Sequence, residues 1–461
     1  MLRVEMPEQQ ERRAIIVDEH RENVLLVRTE RRLAFPVLRI PCHQRVAENL
    51  TRQLEQNFGC CAVSLFALED HLSTEYGYDV LECCAFEPQT PELGWKAVSS
   101  LSEGLFFEPG DCIALRRAIA ECQRYAADLH SPFCKPGWPR ELSAWAAAAI
   151  RPLGLELHKS LCQLNASPSF SLIRFSTNGP DVWFKAVGEP NRHEFGITQT
   201  LAKVLPDFLP EIIASRADWN GWLSLQCNGT GLSEIRDVCA WQSAAQDLAR
   251  LQIESSHKLD DVRRSGARDL SGIALSDMRQ PFFETIRKLM RMQTTIPPHP
   301  LSDAELDHLD QCIEKCIVSC QELQIPDALG HFDLNPGNII FWPDGCKFLD
   351  WADAYVGNPF FTFQYLLEFL RSTFAMDPTI ETRFTTAYLE QWGRLTSGVI
   401  DEIRRLSPLL TVFAYAAGTT AWRSNEALRN PKSAGYLRSL TRRMAAEANR
   451  LTQRRNLCLC S

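Results

Sequence analysis

Two neighbouring runs constrain this chain more than any other part of it: Gly330-His331-Phe332-Asp333-Leu334-Asn335-Pro336-Gly337-Asn338-Ile339-Ile340-Phe341, and Phe348-Leu349-Asp350-Trp351-Ala352-Asp353. They set an Asp, an Asn and a second Asp at spacings of 5 and 12. Ile339-Ile340-Phe341 and Lys347-Phe348-Leu349 read as two short strands joined by a Pro343-Asp344-Gly345 turn that suits a hairpin. Asn338 precedes the first strand and Asp350 follows the second, so the two side chains are expected to meet at the open mouth of the hairpin. An amide oxygen and a carboxylate are hard ligands of the kind Mg²⁺ selects, with phosphate oxygens completing its shell. Asp333, on the loop before them, is suited to accept a proton from an attacking hydroxyl.

These runs resemble the motif HxDxxxxN followed by a hydrophobic-Asp-Trp segment, which marks the aminoglycoside phosphotransferase and choline kinase family. His331, Asp333, Asn338 and Asp350 match it position by position. The resemblance implies an α+β, protein-kinase-like two-lobed fold, with ATP and Mg²⁺ as cofactors. It also implies Asp333 as catalytic base, His331 bracing the loop, and Asn338 and Asp350 as metal ligands. The family often carries an Asp where Asn358 or Thr362 stands, so a supporting carboxylate is expected to be missing here.

Upstream, Asp181-Val182-Trp183-Phe184-Lys185-Ala186-Val187 reads as a strand with a Lys inside it. A buried ammonium needs a partner, and Glu194 opens a helical pattern nine residues later. The two resemble the kinase-type pair in which Lys holds nucleotide phosphates and Glu positions the Lys. On that resemblance the turn around Ser167 and Ser169 covers phosphates. Trp222 to Cys227 becomes a strand entering a hinge, where Gln226 and Cys227 face the adenine. Lys185 and the late hairpin are then expected to act on one triphosphate.

The first segment, residues 10–130, begins with strands at Ala14–Val17 and Val24–Arg28 and an edge strand at Ala34–Leu38, limited by Pro36. A helix over 46–60 follows, with Val46, Leu50, Leu54 and Phe58 on one stripe and Gly59 as its stop. Ala62–Leu68 is the next strand. This order is similar to a Nudix hydrolase domain, with Arg52, Leu54 and Gly59 lying over the family's REUxEExGU helix. The glutamates of that helix fall at Gln56 and Asn57, Gln53 replaces another acid, and the upstream Gly and Glu fall at Leu38 and Gln44. Neutral amides do not gather the charge that a Mg²⁺-pyrophosphate site needs. The expectation is a degenerate Nudix-like domain without hydrolase activity.

Pro132, Pro136 and Pro139 mark the next boundary. Residues 131–232 read as a linker helix (Glu141–Ile150) and a small lobe, and residues 233–461 as a mostly helical large lobe. That lobe has amphipathic helices at Trp241–Ile253, Leu301–Leu323 and Phe363–Leu370. Arg404, Arg405, Arg438, Arg442 and Arg443 give its later helices basic faces, read as solvated surface. The 461 residues carry a net charge of −8, which argues against nucleic acid or an anionic membrane as partner. The N-terminus lacks an apolar core, and the apolar runs near 142–150 and 409–417 are too short or broken to span a bilayer. A soluble, cytoplasmic protein acting on a small-molecule hydroxyl is expected. The other reading is a nucleotide-binding regulatory or scaffold protein.

The 17 cysteines are irregularly spaced, with no CxxC. They read as small buried hydrophobes, Cys312, Cys316 and Cys320 forming one helix stripe. Cys458 and Cys460 have no neighbour that marks them as reactive.

Overall fold

The computed structural model describes residues 9–29, 32–68, 76–89, 91–128, 130–419 and 421–458. The side chain of Cys458, and Cys460 as a whole, lie outside the described residues. The chain divides into two compact units. The first is Met1–Phe195 with Glu211–Gln226, and the second is Gly196–Pro210 with Cys227–Ser461.

The first unit opens with β1 (Gln9–Val17), β2 (Asn23–Thr29), β3 (Arg32–Ala34), β4 (Val37–Pro41), α1 (Val46–Phe58), β5 (Cys60–Ala67), β6 (Tyr76–Phe86), β7 (Leu93–Ala97) and α2 (Pro109–Ala126). The strands form one mixed sheet in the order β3-β2-β1-β6-β5, with β4 added on β1 and β7 on β2. β1 is its parallel seam, running with β6 and against β2 and β4. The single edge strand expected at Ala34–Leu38 is two strands. Pro36 has no N–H for a ladder, so β3 ends before it and β4 begins after it. The Pro36 carbonyl instead accepts the Ala14 N–H at 3.0 Å.

α1 matches its apolar stripe, with Leu50 and Leu54 fully buried. It stops at Gly59, whose left-handed backbone (φ 65°) caps Leu54 and Glu55. No side chain fits there, since a Cβ would lie 2.0 Å from the Glu87 carbonyl.

The same unit continues through α3 (Trp138–Ile150), β8 (Leu157–Ala166), β9 (Ser171–Thr177), β10 (Val182–Ala186), the start of α4 (His193–Val204), β11 (Ile212–Arg216) and β12 (Gly221–Leu225). The second sheet is antiparallel, ordered β11-β12-β10-β9-β8. The boundary expected near residue 131 is not a break between compact units. Phe133, Trp138 and Leu142 are almost fully buried in one core with Val63 and Tyr78 of the first sheet and Ile173 and Phe184 of the second. Phe133, Trp138, Trp145 and Trp219 meet edge to face around Phe184.

Gln163 of β8 adds a polar clasp between the sheets. Its amide oxygen takes the Ser64 N–H at 2.7 Å and its amide nitrogen donates to the Ser64 carbonyl at 3.2 Å, with no solvent access to Gln163. One side chain thus satisfies both backbone groups where β5 makes a register shift against β6.

The second unit takes the remainder of α4 and then β13 (Thr230–Gly231), α5 (Val238–Ser255), α6 (Leu259–Arg264), β14 (Arg268–Leu270), α7 (Gly272–Arg291) and α8 (Asp303–Glu322). It continues with β15 (Ala328–His331), β16 (Ile339–Trp342), β17 (Gly345–Phe348) and β18 (Ala354–Gly357). It ends with α9 (Phe360–Thr373), α10 (Pro378–Gln391), α11 (Ser397–Gly418), α12 (Asn425–Arg429) and α13 (Pro431–Cys458). Two three-stranded sheets, β13-β16-β17 and β14-β18-β15, are embedded in these helices. α8 begins at a capping box, Ser302 and Glu305 satisfying each other's backbone N–H. Of its cysteine stripe Cys316 is buried, while Cys312 and Cys320 are half-buried. Among the described residues no helix is long and apolar enough to cross a membrane.

Gln163→Leu leaves the Ser64 N–H and carbonyl without partners, at roughly 1–3 kcal/mol for each orphaned group. It should lower the midpoint of that unit's unfolding transition, followed by tryptophan fluorescence in denaturant. Glu82 of β6 is also buried, accepting the Gly137 N–H at 2.5 Å, and burial pushes its carboxyl up from 4.5 to about 7. The folded state therefore holds this proton more tightly than the unfolded one. The stability it contributes is full below pH 4.5 and lost as pH rises through about 7. The unit should resist denaturant better at about pH 5, where most of this contribution is present, than at about pH 8, where it is lost, and Glu82→Gln should flatten the difference.

Candidate active site

β15 runs to His331 against β18, packed so closely that a Cβ on Gly330 would lie 2.0 Å from the Tyr355 ring. The chain then leaves the sheet as a loop, turns through Pro336–Asn338, and enters the expected hairpin β16–β17. The Leu349 N–H bonds to the Asn338 carbonyl at 2.9 Å, extending the ladder by one step past Phe348. Asn338 thus faces the residue before Asp350. Asp350 itself adopts φ 65°, ψ 60° at the start of the turn Trp351–Asp353. A non-glycine residue in this left-handed region is unusual, and such residues concentrate at functional sites.

His331 is fully buried and has both ring nitrogens engaged. Nδ1 accepts the Asp333 N–H at 3.0 Å, and Nε2 lies 3.1 Å from the Leu349 carbonyl. A carbonyl only accepts, so the ring proton is on Nε2 and the imidazole is neutral. Burial lowers its pKa, which keeps it so. The ring lies against Trp351, centroids 5.0 Å apart. His331 therefore ties the Asp333 loop to the strand end before Asp350.

The Asp333 carboxylate is half-buried. Its Oδ1 accepts from Asn335 Nδ2 at 3.0 Å and from the Tyr365 hydroxyl at 3.5 Å, and Oδ2 makes a long 3.4 Å contact with Asn338 Nδ2. The more strongly engaged oxygen is Oδ1, which leaves Oδ2 as the better proton acceptor. Asn338 Nδ2 also donates to the Asp333 carbonyl at 2.8 Å, directing the amide nitrogen to that loop and its oxygen away from it. Burial, and then the Asp333 charge, push the Tyr365 phenol up to about 12, so it remains a donor at neutral pH.

Two of these partners, Asn335 and Tyr365, were not legible as site residues. Asn335 was readable only as part of an Asn-Pro-Gly turn. Tyr365 comes from α9, where the sequence shows an apolar helix. Thr362, at which a missing carboxylate was expected, accepts the His331 N–H on Oγ1 at 2.8 Å and pairs with the Tyr355 hydroxyl at 2.9 Å. The backbone at His331 is thus anchored by a hydroxyl. Asn358 caps Phe360 and donates to Cys320 Sγ at 3.1 Å, and Asp353 is paired with Arg268 at 2.7 Å.

In the first unit, Lys185 lies on β10, the central strand of its sheet. The strand alternates, burying Phe184 and Ala186 on one face and presenting Lys185 on the other. Lys185 Nζ bonds Glu194 Oε1 at 2.5 Å, with Glu194 almost fully buried in the first turn of α4. The lysine also stands 5.7 Å from the Trp222 ring of the adjacent strand.

The serine turn is more committed than its sequence suggests. The Ser167 hydroxyl accepts the Phe170 N–H at 3.0 Å, and the Pro168 carbonyl accepts from Phe133 at 3.3 Å. Ser169 packs where a Cβ on Gly188 would lie 2.2 Å from its own. The last crossing of the chain from the first unit to the second falls between Gln226 and Cys227. The Gln226 N–H bonds the Asp181 carbonyl at 2.8 Å, and its side chain takes the Trp183 indole N–H. Cys227 is half-buried.

Among the described residues no three His, Cys, Asp or Glu side chains cluster as a self-sufficient metal site. Asn338 and Asp350 fit a different kind of cation site, in which two hard protein oxygens leave most of the shell to phosphate and water. The basic residues of the later helices are mostly paired. Arg405 meets Glu402 and Arg443 meets Glu368, along an open cavity of about 1200 Å³ that Arg404 also lines. Arg438 and Arg442 bond the Leu289 and His299 carbonyls.

No curated protein matches the sequence. Among solved structures, a macrolide 2′-phosphotransferase from Brachybacterium faecium is similar at 17% identity and a TM-score of 0.40, over 63% of this chain and 98% of that one. A choline kinase from Streptococcus pneumoniae is similar at 14% and 0.42, over 66% and 99%. A choline kinase from Cryptosporidium parvum is similar at 12% and 0.48, over 70% and 96%. Residues 240–409, which contain His331, Asp333, Asn338, Asp350 and Tyr365, match the phosphotransferase enzyme family APH.

Proposed function

We propose that this protein is an ATP- and Mg²⁺-dependent phosphotransferase acting on a hydroxyl of a small molecule. The observation that carries the reading is the loop held by His331: one buried neutral imidazole links the Asp333 loop to the strand end that leads to Asp350, with Asn338 bonded to Asp333. The match of residues 240–409 to a phosphotransferase family supports it.

In this reading Asp333 Oδ2 orients the acceptor hydroxyl and takes its proton as the new P–O bond forms. Asn335 and Tyr365 hold the carboxylate from its other oxygen. Asn338 and Asp350 would hold Mg²⁺, which supplies charge neutralisation for the transferring phosphoryl group. Lys185, fixed by Glu194, would bind nucleotide phosphate oxygens, while Ser167, Ser169, Gln226 and Cys227 would contribute to the nucleotide site mainly through backbone. His331 has no ring nitrogen left to exchange a proton with substrate, so it acts as a positioning residue. An ATP-dependent role agrees with a cytoplasmic protein.

The test is turnover of labelled ATP against a panel of hydroxyl-bearing metabolites. Once an acceptor is found, Asp333→Asn should keep nucleotide affinity nearly unchanged and reduce kcat on the order of 10²–10⁴-fold. Lys185→Met should instead weaken Mg-ATP binding, read by calorimetry. Full turnover in Asp333→Asn would overturn its role.

We also propose that residues 10–130 are a Nudix-like domain without hydrolase activity. The support is chemical: α1 presents Gln56 and Asn57 to solvent, and Gln53 donates to the Arg39 carbonyl at 3.0 Å. The full chain should release no mononucleotide from Mg²⁺-loaded nucleoside diphosphate derivatives, followed by chromatography. Release at an enzymatic rate that survives Asp333→Asn would place hydrolysis in this domain.

A further inference from the structure

The cysteines read from sequence as small hydrophobes include two that the fold brings together. Cys60 opens β5 directly after the left-handed stop of α1 at Gly59, and Cys83 lies on the neighbouring β6. In the register of the pair Cys61 faces Ala85, whereas Ala62 faces Cys83. Cys84 is therefore the extra residue of a bulge, the local kink that an unpaired residue puts into a ladder. The result is a sulfur–sulfur contact of 3.9 Å, with the Cys60 thiol donating to Cys83 Sγ.

Their surroundings differ in a way that suits a two-step reaction. Cys60 is fully buried in the apolar layer with Leu50, Leu54 and Leu81, while Cys83 packs against the edge of that layer and is half-buried. The hydrogen bond from Cys60 stabilises a thiolate on Cys83 and lowers its pKa, and the same contact raises that of Cys60. Glu82 and Asp18 are the acidic neighbours that oppose the thiolate. Cys83 is thus the attacking sulfur and Cys60 the resolving one.

We propose that Cys60 and Cys83 are a covalent modification site, a thiol pair that closes to a disulfide with a low-molecular-weight disulfide such as glutathione disulfide as oxidant. The Cys83 thiolate attacks one sulfur of glutathione disulfide. The S–S bond breaks and one glutathione thiolate leaves, taking up a proton. Cys60 loses its proton and attacks Cys83 Sγ, and the second glutathione leaves as the mixed disulfide breaks. Two protein thiols are oxidised and one glutathione disulfide is reduced to two glutathione molecules. Closure joins the first residue of β5 to β6, beside the α1 stop.

The full chain is equilibrated across glutathione redox buffers, quenched by alkylation under denaturing conditions, and mapped by mass spectrometry without reduction. The expected result is a Cys60–Cys83 linked peptide that grows in at oxidising ratios and disappears on return to reducing ones. Cys60→Ser should trap Cys83 as a mixed disulfide with glutathione, and Cys83→Ser should leave Cys60 as a free thiol. The proposal is overturned if both cysteines of the unmodified chain remain alkylated in the most oxidising buffer. It is equally overturned if Cys83 accumulates there as the mixed disulfide or is linked to a different cysteine. The peptide map of the unmodified chain decides the matter even where a variant fails to fold.

Discussion

The second unit depends on a single buried imidazole. His331 is fully buried, and its two ring nitrogens reach backbone groups 16 residues apart in sequence, the Leu349 carbonyl and the Asp333 N–H. A charged imidazolium would need two acceptors, and one of the two partners is a donor. Burial and bonding pattern therefore demand the same neutral tautomer. The loop carrying Asp333 and the strand end before Asp350 are positioned by that one ring, and a side chain unable both to accept and to donate would release one of them. The cost of leaving a backbone group unpaired in a buried setting is what makes the arrangement rigid.

The first unit reaches rigidity by a different route. Lys185 has to stay beside Glu194 on a strand whose other face is sealed, and the seal is aromatic: Phe184 sits among Phe133, Trp145 and Trp219. Two of those rings come from the stretch that its prolines made look like a linker. A core that draws on both sheets has no surface along which they would separate, and Gln163 adds a directional clasp to an otherwise non-directional contact.

Much of the second unit's site could be read from residue types alone, because its chemistry is local in sequence. Asp333, Asn338 and Asp350 are spaced by a loop and a hairpin whose turn residues announce themselves, and the observed strands differ from the expected ones by one or two residues at their ends. The helix α1 was legible for the same reason, an apolar stripe ending in a glycine that only glycine can satisfy. What the sequence did not reveal is non-local. The β6 strand pairs in parallel with β1 across more than sixty positions (Arg13 with Tyr78, for example), and nothing in either strand names its partner. α7 was missed because Pro281 and its many charges mask the apolar face that buries Phe282, Phe283 and Ile286. Tyr365 was invisible as a site residue because a tyrosine on an apolar helix reads as core.

Two positions where the resemblances led one to expect a carboxylate separate the loss of a hydrogen-bond acceptor from the loss of a charge. At Thr362 a carboxylate was expected, and a threonine hydroxyl takes the His331 N–H in its place, itself ordered by Tyr355, whose ring in turn requires Gly330 to lack a side chain. The task there is to accept one hydrogen bond in a buried place, and a neutral hydroxyl does so without the desolvation cost of a charge. At Gln56 and Asn57 the task would be to gather negative charge around a cation, for which a neutral amide has no substitute within its own side chain. Replacing an acceptor preserves geometry, whereas replacing a charge removes the attraction itself. By the same reasoning that keeps the Asp333 loop intact, the Gln56 and Asn57 amides on the exposed face of α1 supply no charge to hold a divalent cation.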